Sequence, residues 1–140
     1  MKDIETLNQR ITTAGICFKD NKVLIGKRID KGSIACKWEF PGGKNRWGET
    51  IEDTLKREFK EELGVDVRVG DEIATCEFIN KDTKYSLKAH QVFLDNDIDN
   101  LELSVHTELK WESLKNLKNY NFANSDQNII DQLIAIYGDN

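Results

Sequence analysis

A helical segment at residues 50–63 constrains the fold of this chain more than any other stretch. Apolar residues recur there at the spacing of about 3.6 residues that places them on one face of an α-helix. This apolar stripe consists of Ile51, Leu55, Phe59 and Leu63. Thr50 is a favoured N-cap residue with Asp53 three positions on, where a capping box would hold Glu or Gln, and Gly64 occupies the C′ position. The pattern therefore predicts a helix that packs one face against a core.

Three glutamates crowd the edge of this apolar stripe. Glu58 and Glu62 are four residues apart and share one face of the helix, and Glu61 lies on the same side but farther round. Carboxylates at this spacing repel one another, and a divalent cation would offset the repulsion. Oxygen ligands of this kind favour Mg²⁺ or Mn²⁺ over zinc. The alternative is a solvated acidic face that neighbouring Lys and Arg residues balance.

A glycine pair, Gly42-Gly43, lies about fifteen residues upstream of Glu58 and directly follows Pro41. Glycine lets a backbone turn sharply and approach a ligand closely, and a freed carbonyl in such a loop can join the coordination shell of a cation. Either feature alone is weak evidence. The combination of the glycine loop with the acidic helix favours a metal-dependent phosphate site over a solvated helix face.

The rest of the chain is predicted to form strands and one further helix. Strands are predicted at residues 11–19, 23–28, 37–40, 65–79, 85–94 and 109–111, with turns at residues 20–21 and 80–82. A second helix is predicted at residues 126–137, with an apolar face of Ile129, Ile130, Leu133, Ile134 and Tyr137. This order of elements predicts an α+β or α/β sandwich with helices on both sides of a mixed sheet.

The length and net charge of the chain limit the classes of protein to which it can belong. The chain has 140 residues, which fits a single domain at residues 1–140. Its net charge of −5 speaks against a protein whose main task is to bind a nucleic acid polymer. No apolar run approaches the roughly 20 residues of a membrane span, and residues 1–5 have mixed charge without the apolar core of a signal peptide. We therefore expect a cytoplasmic protein without a membrane partner.

Residues 43–65 resemble the Nudix box, the sequence signature of the Nudix hydrolase family. Every fixed position of the box is filled, by Gly43, Glu49, Arg57, Glu58, Phe59, Glu61, Glu62, Gly64 and Val65. Residues 38–44 and 48–50 are similar to the MutT-like branch of that family. The resemblance covers roughly residues 11–137, and it implies the Nudix fold, an α/β/α sandwich with a central mixed β-sheet.

The resemblance implies a Mg²⁺-dependent pyrophosphohydrolase, with Mn²⁺ as a substitute metal. Its implied reaction converts a nucleoside triphosphate to a monophosphate and pyrophosphate, which would clear damaged or surplus nucleotides. One alternative is hydrolysis of another nucleoside diphosphate derivative, such as a nucleotide sugar or ADP-ribose, and another is a non-catalytic ligand-binding module. The implied partner is a small-molecule nucleotide, bound by a monomer or a homodimer.

The resemblance also assigns roles to the residues of the box and its flanks. The implied metal ligands are the Gly42 carbonyl, Glu58, Glu61 and Glu62. The implied catalytic residues are Glu58, Glu61, Arg57 and Glu49. Either Glu58 or Glu61 would accept the proton of the attacking water, and Arg57 would pair with Glu49 to fix the helix against the loop.

Further residues are predicted to contact the substrate. Arg28 lies twelve residues before Phe40 and resembles a family arginine that contacts the phosphates, which a guanidinium can bind in a bidentate manner. Lys44, directly after Gly43 in the close-approach loop, is a second candidate phosphate contact. Both cations have the alternative of an ordinary surface position. Phe40 and Phe78 are candidate stacking surfaces for a base, with a place in the core as the alternative.

Two residues are candidates for reading the nucleobase. Alignment on the last helix selects Asp126, whereas alignment on an Ala-Asn dipeptide selects Asn124. The two differ chemically, because an ionised Asp only accepts hydrogen bonds while Asn both donates and accepts them. The alternative is that one of these polar residues merely caps the helix.

The chain departs from the family pattern at two positions. Val105 stands where many relatives have an additional metal-binding Glu, so the number of bound metals is open. Ser33 stands where some MutT relatives have a His, so no strict preference for 8-oxo-guanine is implied. The neighbouring His106 could accept a proton, but it is interpreted as a surface residue.

Overall fold

The computed structural model of the chain describes residues 8–138, so the prediction for residues 1–5 lies outside the described part. Its strands are β1 (Asn8–Ile16), β2 (Phe18–Lys19), β3 (Lys22–Arg28), β4 (Trp38–Glu39), β5 (Arg68–Asn80), β6 (Thr83–Phe93) and β7 (His106–Ser113). Its α-helices are α1 (Ile51–Leu63) and α2 (Asn124–Tyr137). Neither of these described helices is long and apolar enough to cross a membrane.

The predicted cap residues set both ends of α1. The Thr50 side chain accepts a hydrogen bond from the Asp53 amide at 3.1 Å, and the Asp53 carboxylate accepts one from the Thr50 amide at 3.2 Å. This is a reciprocal capping box in which Asp replaces the usual Glu or Gln. Gly64 ends the helix with a φ of 69°, and its amide bonds back to the Lys60 carbonyl. The predicted helix and its caps are confirmed.

The strands form a three-stranded mixed sheet and a four-stranded antiparallel sheet. In the first, β6 pairs in parallel with β1 and antiparallel with β5. In the second, β3 pairs antiparallel with β2, β4 and β7. This arrangement confirms the predicted α/β class with a mixed sheet, and it shows that the strands are divided between two hydrogen-bonded sheets.

Successive residues of the strands contribute to two separate apolar clusters, because side chains alternate between the faces of a sheet. One cluster joins Ala14, Ile16, Val23, Ile25, Leu87 and Ala89 to Ile129, Ile130 and Leu133 of α2. The other joins Cys17, Leu24 and Val92 to Leu55, Phe59 and Leu63 of α1. Each helix thus covers its own face of the strands, as the sandwich prediction requires. Full burial of each large apolar side chain contributes about 1.5–3 kcal/mol.

The main difference from the predicted elements is the length of β7. A strand was expected at residues 109–111, but β7 spans His106–Ser113 and pairs with β3 along its length. Leu109 and Trp111 alternate with polar residues in the middle of β7, but the residues at both of its ends are polar, so pairing with the distant strand β3 determines its full length. The second helix also begins two residues earlier than predicted, at Asn124.

Candidate active site

The glycine loop packs directly against the acidic face of α1. Two hydrogen bonds fix Gly43 to Thr13 of β1: the Thr13 hydroxyl donates to the Gly43 carbonyl at 2.9 Å, and the Gly43 amide donates to that hydroxyl at 3.1 Å. A Cβ atom added to Gly43 would lie 2.5 Å from the Glu58 carboxyl carbon. The glycine loop and the acidic helix, which the sequence analysis combined into one predicted site, are therefore in contact.

Gly42 is required because the loop crosses β1 without room for a side chain. Its φ is 154°, and an added Cβ would overlap the backbone carbonyl of Thr13. We expect Gly42→Ala to lower the free energy of unfolding by about 2–4 kcal/mol, through steric overlap and backbone strain together. Gly48→Ala is the matched control, because Gly48 also has a positive φ but nothing lies within 4 Å of its added Cβ. Equal losses for the two variants in urea unfolding would contradict the close approach at Gly42.

Arg57 joins the loop to the helix, as the family resemblance implied. Its Nε and Nη2 donate to the two Glu49 carboxylate oxygens at 2.7 and 3.0 Å, and Nη2 also donates to the Lys44 carbonyl at 2.9 Å. The hydrogen bonds from Arg57 are the main cause that lowers the pKa of Glu49 to about 2, and the Arg46 amide and Thr54 hydroxyl lower it further. Glu49 therefore stays ionised and holds Arg57 in a single geometry.

The three signature glutamates of α1, Glu58, Glu61 and Glu62, differ sharply in environment. Glu61 is half exposed, Glu58 is largely covered, and Glu62 is buried at 5% exposure. Arg57 Nη1 contacts both Glu58, at 2.7 Å, and Glu61, at 3.3 Å. Glu62 Oε1 has no hydrogen-bond partner within residues 8–138. Desolvation by burial, followed by the neighbouring Glu58 and Glu39, raises the pKa of Glu62. A cation beside Glu62 would stabilise the ionised form of this buried carboxylate.

A cavity of about 320 Å³ lies next to the glycine loop. It brings together most of the residues predicted to contact substrate: Arg28, Phe40, Gly43, Lys44, Phe78 and Asp126, with Gly42 in the same wall. Asn124 is not among the lining residues and is exposed, with its side chain near Gln127. The glycine loop thus has the cavity on one side and Glu58 on the other. The structure selects Asp126, and not Asn124, as the residue that faces the cavity.

The two candidate phosphate cations occupy different environments. Arg28 is partly buried, and its Nη1 lies 3.3 Å from Glu39 Oε2, so it is not an ordinary surface residue. Its Nε is buried without a hydrogen-bond partner among the described residues. Lys44 is exposed, with its ammonium 5.5 Å from the centre of the Tyr85 ring. Both cations border the cavity, where they can approach an anionic ligand.

The two predicted stacking residues also differ. Phe40 is 2% exposed and packs against Phe122 with ring centres 5.3 Å apart, so it belongs mainly to the core. Phe78 is half-buried and stacks on Tyr85, with ring centres 5.1 Å apart and planes inclined by 16°. Tyr85 also lines the cavity, and the sequence patterns did not single it out. This pair forms the aromatic wall of the cavity.

Asp126 contributes a buried carboxyl group to the cavity. Its Oδ2 accepts a hydrogen bond from the Phe40 amide at 3.0 Å. The N-cap position of α2 is Ala123, which makes no side-chain cap bond, so Asp126 does not serve as the helix cap. Burial raises the pKa of Asp126 to about 7, the Phe40 amide lowers it in part, and Glu39 raises it further. Asp126 can therefore present either a donor or an acceptor near neutral pH.

The raised pKa of Asp126 predicts a pH-dependent stability. The folded chain holds this proton more tightly than the unfolded chain, so the contribution is fully present below about pH 4 and is lost as the pH rises towards 7. We expect the stability of Asp126→Asn relative to the wild type to rise by about 3–4 kcal/mol between pH 4 and 7.5. Urea unfolding of both proteins at several pH values measures this difference. A stability difference between the two proteins that does not change with pH would contradict the raised pKa of Asp126.

His106 is buried, so its interpretation as a surface residue is wrong. Its side chain has no exposed surface, and its Nε2 lies 2.8 Å from Glu39 Oε2 and 4.0 Å from Glu62 Oε1. The cause is a shift in the β3–β7 register, where Lys27 pairs with Glu108 but Arg28 pairs with His106. A bulge of this kind reverses which face a side chain occupies. Neither His106 nor Glu39 was among the predicted site residues, although Glu39 lies within the MutT-like residues 38–44.

Sequence comparison identifies relatives over most of the chain. The sequence profile of the NUDIX domain matches residues 9–133. A Proteus vulgaris protein named 8-oxo-dGTP diphosphatase is 47% identical over 57 residues, which are 41% of this chain and 51% of that protein. A CTP pyrophosphohydrolase of Escherichia coli (strain K12) is 28% identical over 123 residues, covering 88% of this chain and 90% of that protein. The chain spans 62% of the length of two Mycobacterium tuberculosis relatives, which are 41% identical over 95 residues.

Comparison of structures agrees with the sequence profile. The solution structure of the Escherichia coli ORF135 protein superimposes with a TM-score of 0.82 at 27% sequence identity, covering 96% of this chain and 95% of the other. The profile match includes the glycine loop, the three signature glutamates of α1 and Asp126 at the cavity. The fold, the filled signature and the matched profile together show that the chain belongs to the NUDIX domain family.

Proposed function

We propose that this chain is a Mg²⁺-dependent hydrolase that converts a nucleoside triphosphate to a monophosphate and pyrophosphate. The observation that carries the proposal is the buried carboxylate of Glu62, which shares a helix face with Glu58 and whose Oε1 has no partner among residues 8–138. The names of the relatives, 8-oxo-dGTP diphosphatase and CTP pyrophosphohydrolase, support this reaction class. The cavity of about 320 Å³ beside the glycine loop, lined by two cations and an aromatic pair, supports a nucleotide as the ligand.

The residues present fit a divalent cation. Glu58, Glu61, Glu62 and the Gly42 carbonyl would supply only oxygen ligands, which suits Mg²⁺ or Mn²⁺. A Cβ atom added to Gly43 would lie 2.5 Å from the Glu58 carboxyl carbon, so this helix carboxylate lies beside the glycine loop. When bound, the cation would lower the pKa of a coordinated water and offset charge on the transferred phosphoryl oxygens.

The side chains around the cation site would bind the phosphates, hold the carboxylates in place and accept a proton. Arg28 and Lys44, which both line the cavity, would bind phosphate oxygens. Arg57 would fix the carboxylates of Glu58 and Glu61, either of which could accept the proton of the attacking water. The aromatic wall of Phe78 and Tyr85 would stack on the base.

Product analysis tests the reaction directly. The purified chain is incubated with millimolar Mg²⁺ and a panel of canonical, oxidised and methylated nucleoside triphosphates, and products are separated by anion-exchange chromatography. We expect nucleoside monophosphate and pyrophosphate in equal amounts. Release of orthophosphate, or no turnover of any triphosphate, would contradict the proposal. Sugar phosphate and monophosphate formed from nucleotide sugars, without pyrophosphate from triphosphates, would favour the alternative substrate class.

Asp126 is proposed to select the base through hydrogen bonds in the cavity. We expect Asp126→Ala to change the ratio of kcat/KM between two different bases by about tenfold or more, because a buried polar group discriminates strongly between matched and unmatched substrates. Asn124→Ala is the control and should leave these ratios unchanged, because Asn124 lies outside the cavity wall. Unchanged ratios in Asp126→Ala would exclude this role.

A further inference from the structure

Three ionisable side chains meet in the interior between α1 and the four-stranded sheet. Glu39 comes from β4, Glu62 from α1 and His106 from β7. Each offers one potential ligand atom, and these three atoms lie within 4.8 Å of one another. His106 Nε2 lies 2.8 Å from Glu39 Oε2 and 4.0 Å from Glu62 Oε1. Three elements distant in sequence thus converge on one point.

The hydrogen bonds within this trio leave polar atoms unsatisfied. Glu62 Oε1 and His106 Nδ1 are both buried without a partner among residues 8–138. The Glu62 side chain is only 6% exposed and the His106 side chain has no exposed surface, so solvent cannot fully compensate them. Leaving such groups unpaired costs about 1–3 kcal/mol each. Beside the two carboxylates lies one guanidinium, that of Arg28, whose Nη1 is 3.3 Å from Glu39 Oε2. The local charge and the free oxygen both favour an added cation.

We propose that Glu39, Glu62 and His106 form a second cation site, which binds a divalent first-row transition metal through one imidazole nitrogen and two carboxylate oxygens. Ligand atoms about 2.1 Å from one ion lie about 3 Å apart at a right angle and about 4.2 Å apart when opposite. The two distances from His106 Nε2 are close to this range of about 3–4.2 Å, and small side-chain rotations would bring all three ligand atoms to bonding distance from one ion. A mixed nitrogen and oxygen set favours Mn²⁺, Co²⁺ or Zn²⁺, whereas Mg²⁺ prefers oxygen alone.

This site differs from the oxygen-only magnesium site of the proposed function, although the two share Glu62. Glu58 and Glu61 belong to the magnesium site alone, and Glu39 and His106 belong to the second site alone. A carboxylate has two oxygens, so Glu62 can bridge two cations. Because the second site is defined by nitrogen ligation, it can be detected whether or not the chain hydrolyses nucleotides.

Pulsed electron paramagnetic resonance with Mn²⁺ provides the test. A bound imidazole nitrogen gives ¹⁴N modulation of the electron spin echo, and the chain has two histidines, His90 and His106. We expect ¹⁴N modulation in the wild type at two equivalents of Mn²⁺, its loss in His106→Gln and its retention in the matched variant His90→Gln. No modulation in the Mn²⁺-saturated wild type, or modulation that persists in His106→Gln, would overturn the proposal and leave His106 as a hydrogen-bond partner of Glu39.

A second measurement on the wild type avoids reliance on variants that could fail to fold. Addition of Zn²⁺ is expected to shift the ¹⁵N ring resonances of His106 and not those of His90, whose Nδ1 contacts the Gly70 carbonyl. Unshifted His106 resonances would also overturn the proposal. In Glu61→Gln the ¹⁴N modulation should persist, because Glu61 is outside the trio. Persistence of modulation in a chain that shows no Mg²⁺-dependent hydrolysis would reject the proposed function and retain the second site.

Discussion

Glu62→Gln is expected to lower kcat/KM by about 10³-fold or more in the presence of millimolar Mg²⁺. A neutral amide binds Mg²⁺ poorly, and loss of the cation removes several kcal/mol of transition-state stabilisation, with each factor of ten in rate equal to about 1.4 kcal/mol. The stability of the folded chain should not fall with the activity. Glutamine fills the same volume, and it removes a buried carboxylate whose Oε1 has no partner in the described structure. We therefore expect the metal-free variant to be at least as stable as the wild type.

The opposite signs of these two effects make the prediction specific. Steady-state kinetics over a range of Mg²⁺ concentrations and thermal unfolding without metal measure activity and stability separately. Glu52→Gln is a matched control on the same helix, because Glu52 is exposed and pairs only with Lys56 at 3.1 Å in the described contacts. Activity near that of the wild type in Glu62→Gln would show that Glu62 does not bind the catalytic cation. Marked destabilisation would show that its charge is compensated by something other than a metal.

The parts of the site that lie in one local segment were predictable from the sequence. The apolar stripe and the caps of α1 determine which residues of the helix face inwards, and this places Glu58 and Glu62 at the rim of the core. The pairing of Arg57 with Glu49 also followed from the signature, because both residues belong to the short stretch that folds around the glycine loop. Local periodicity and a single signature therefore define the centre of the site.

The cavity walls depended on long-range pairing, which the sequence patterns did not reveal. Tyr85 lines the cavity because β6 lies between β1 and β5, and no local feature of its sequence marks that position. His106 is buried because one register shift against β3 turns it inwards, next to two exposed residues, Thr107 and Glu108. A strict alternation would have pointed His106 outwards with Glu108. Bulges of this kind arise from strand pairing, so the orientation of the residues that follow them is known only from the folded structure.

Arg57→Lys is expected to reduce kcat/KM by about 100-fold, mainly through kcat, and to destabilise the chain by about 2–3 kcal/mol. Lysine keeps the positive charge but has no planar fork, so it cannot hold both oxygens of Glu49 while also reaching Glu58 and the Lys44 carbonyl. Loosening this network would misplace Glu58 and Glu61 relative to the cation. KM should change little, because Arg57 is not among the residues that line the cavity.

Arg46→Lys is the control that separates geometry from charge. Arg46 lies in the same loop, but its side chain is 64% exposed and its guanidinium is 3.8 Å from Glu61, so the exchange should change activity and stability only slightly. A double-mutant cycle of Arg57→Lys with Glu49→Gln should show strong coupling, because both changes break the same bidentate pair. Additive effects, or equal effects of the two Arg→Lys exchanges, would mean that Arg57 acts only as a positive charge. Coupling together with a kcat-specific loss would show that the fork positions the acidic residues for the reaction.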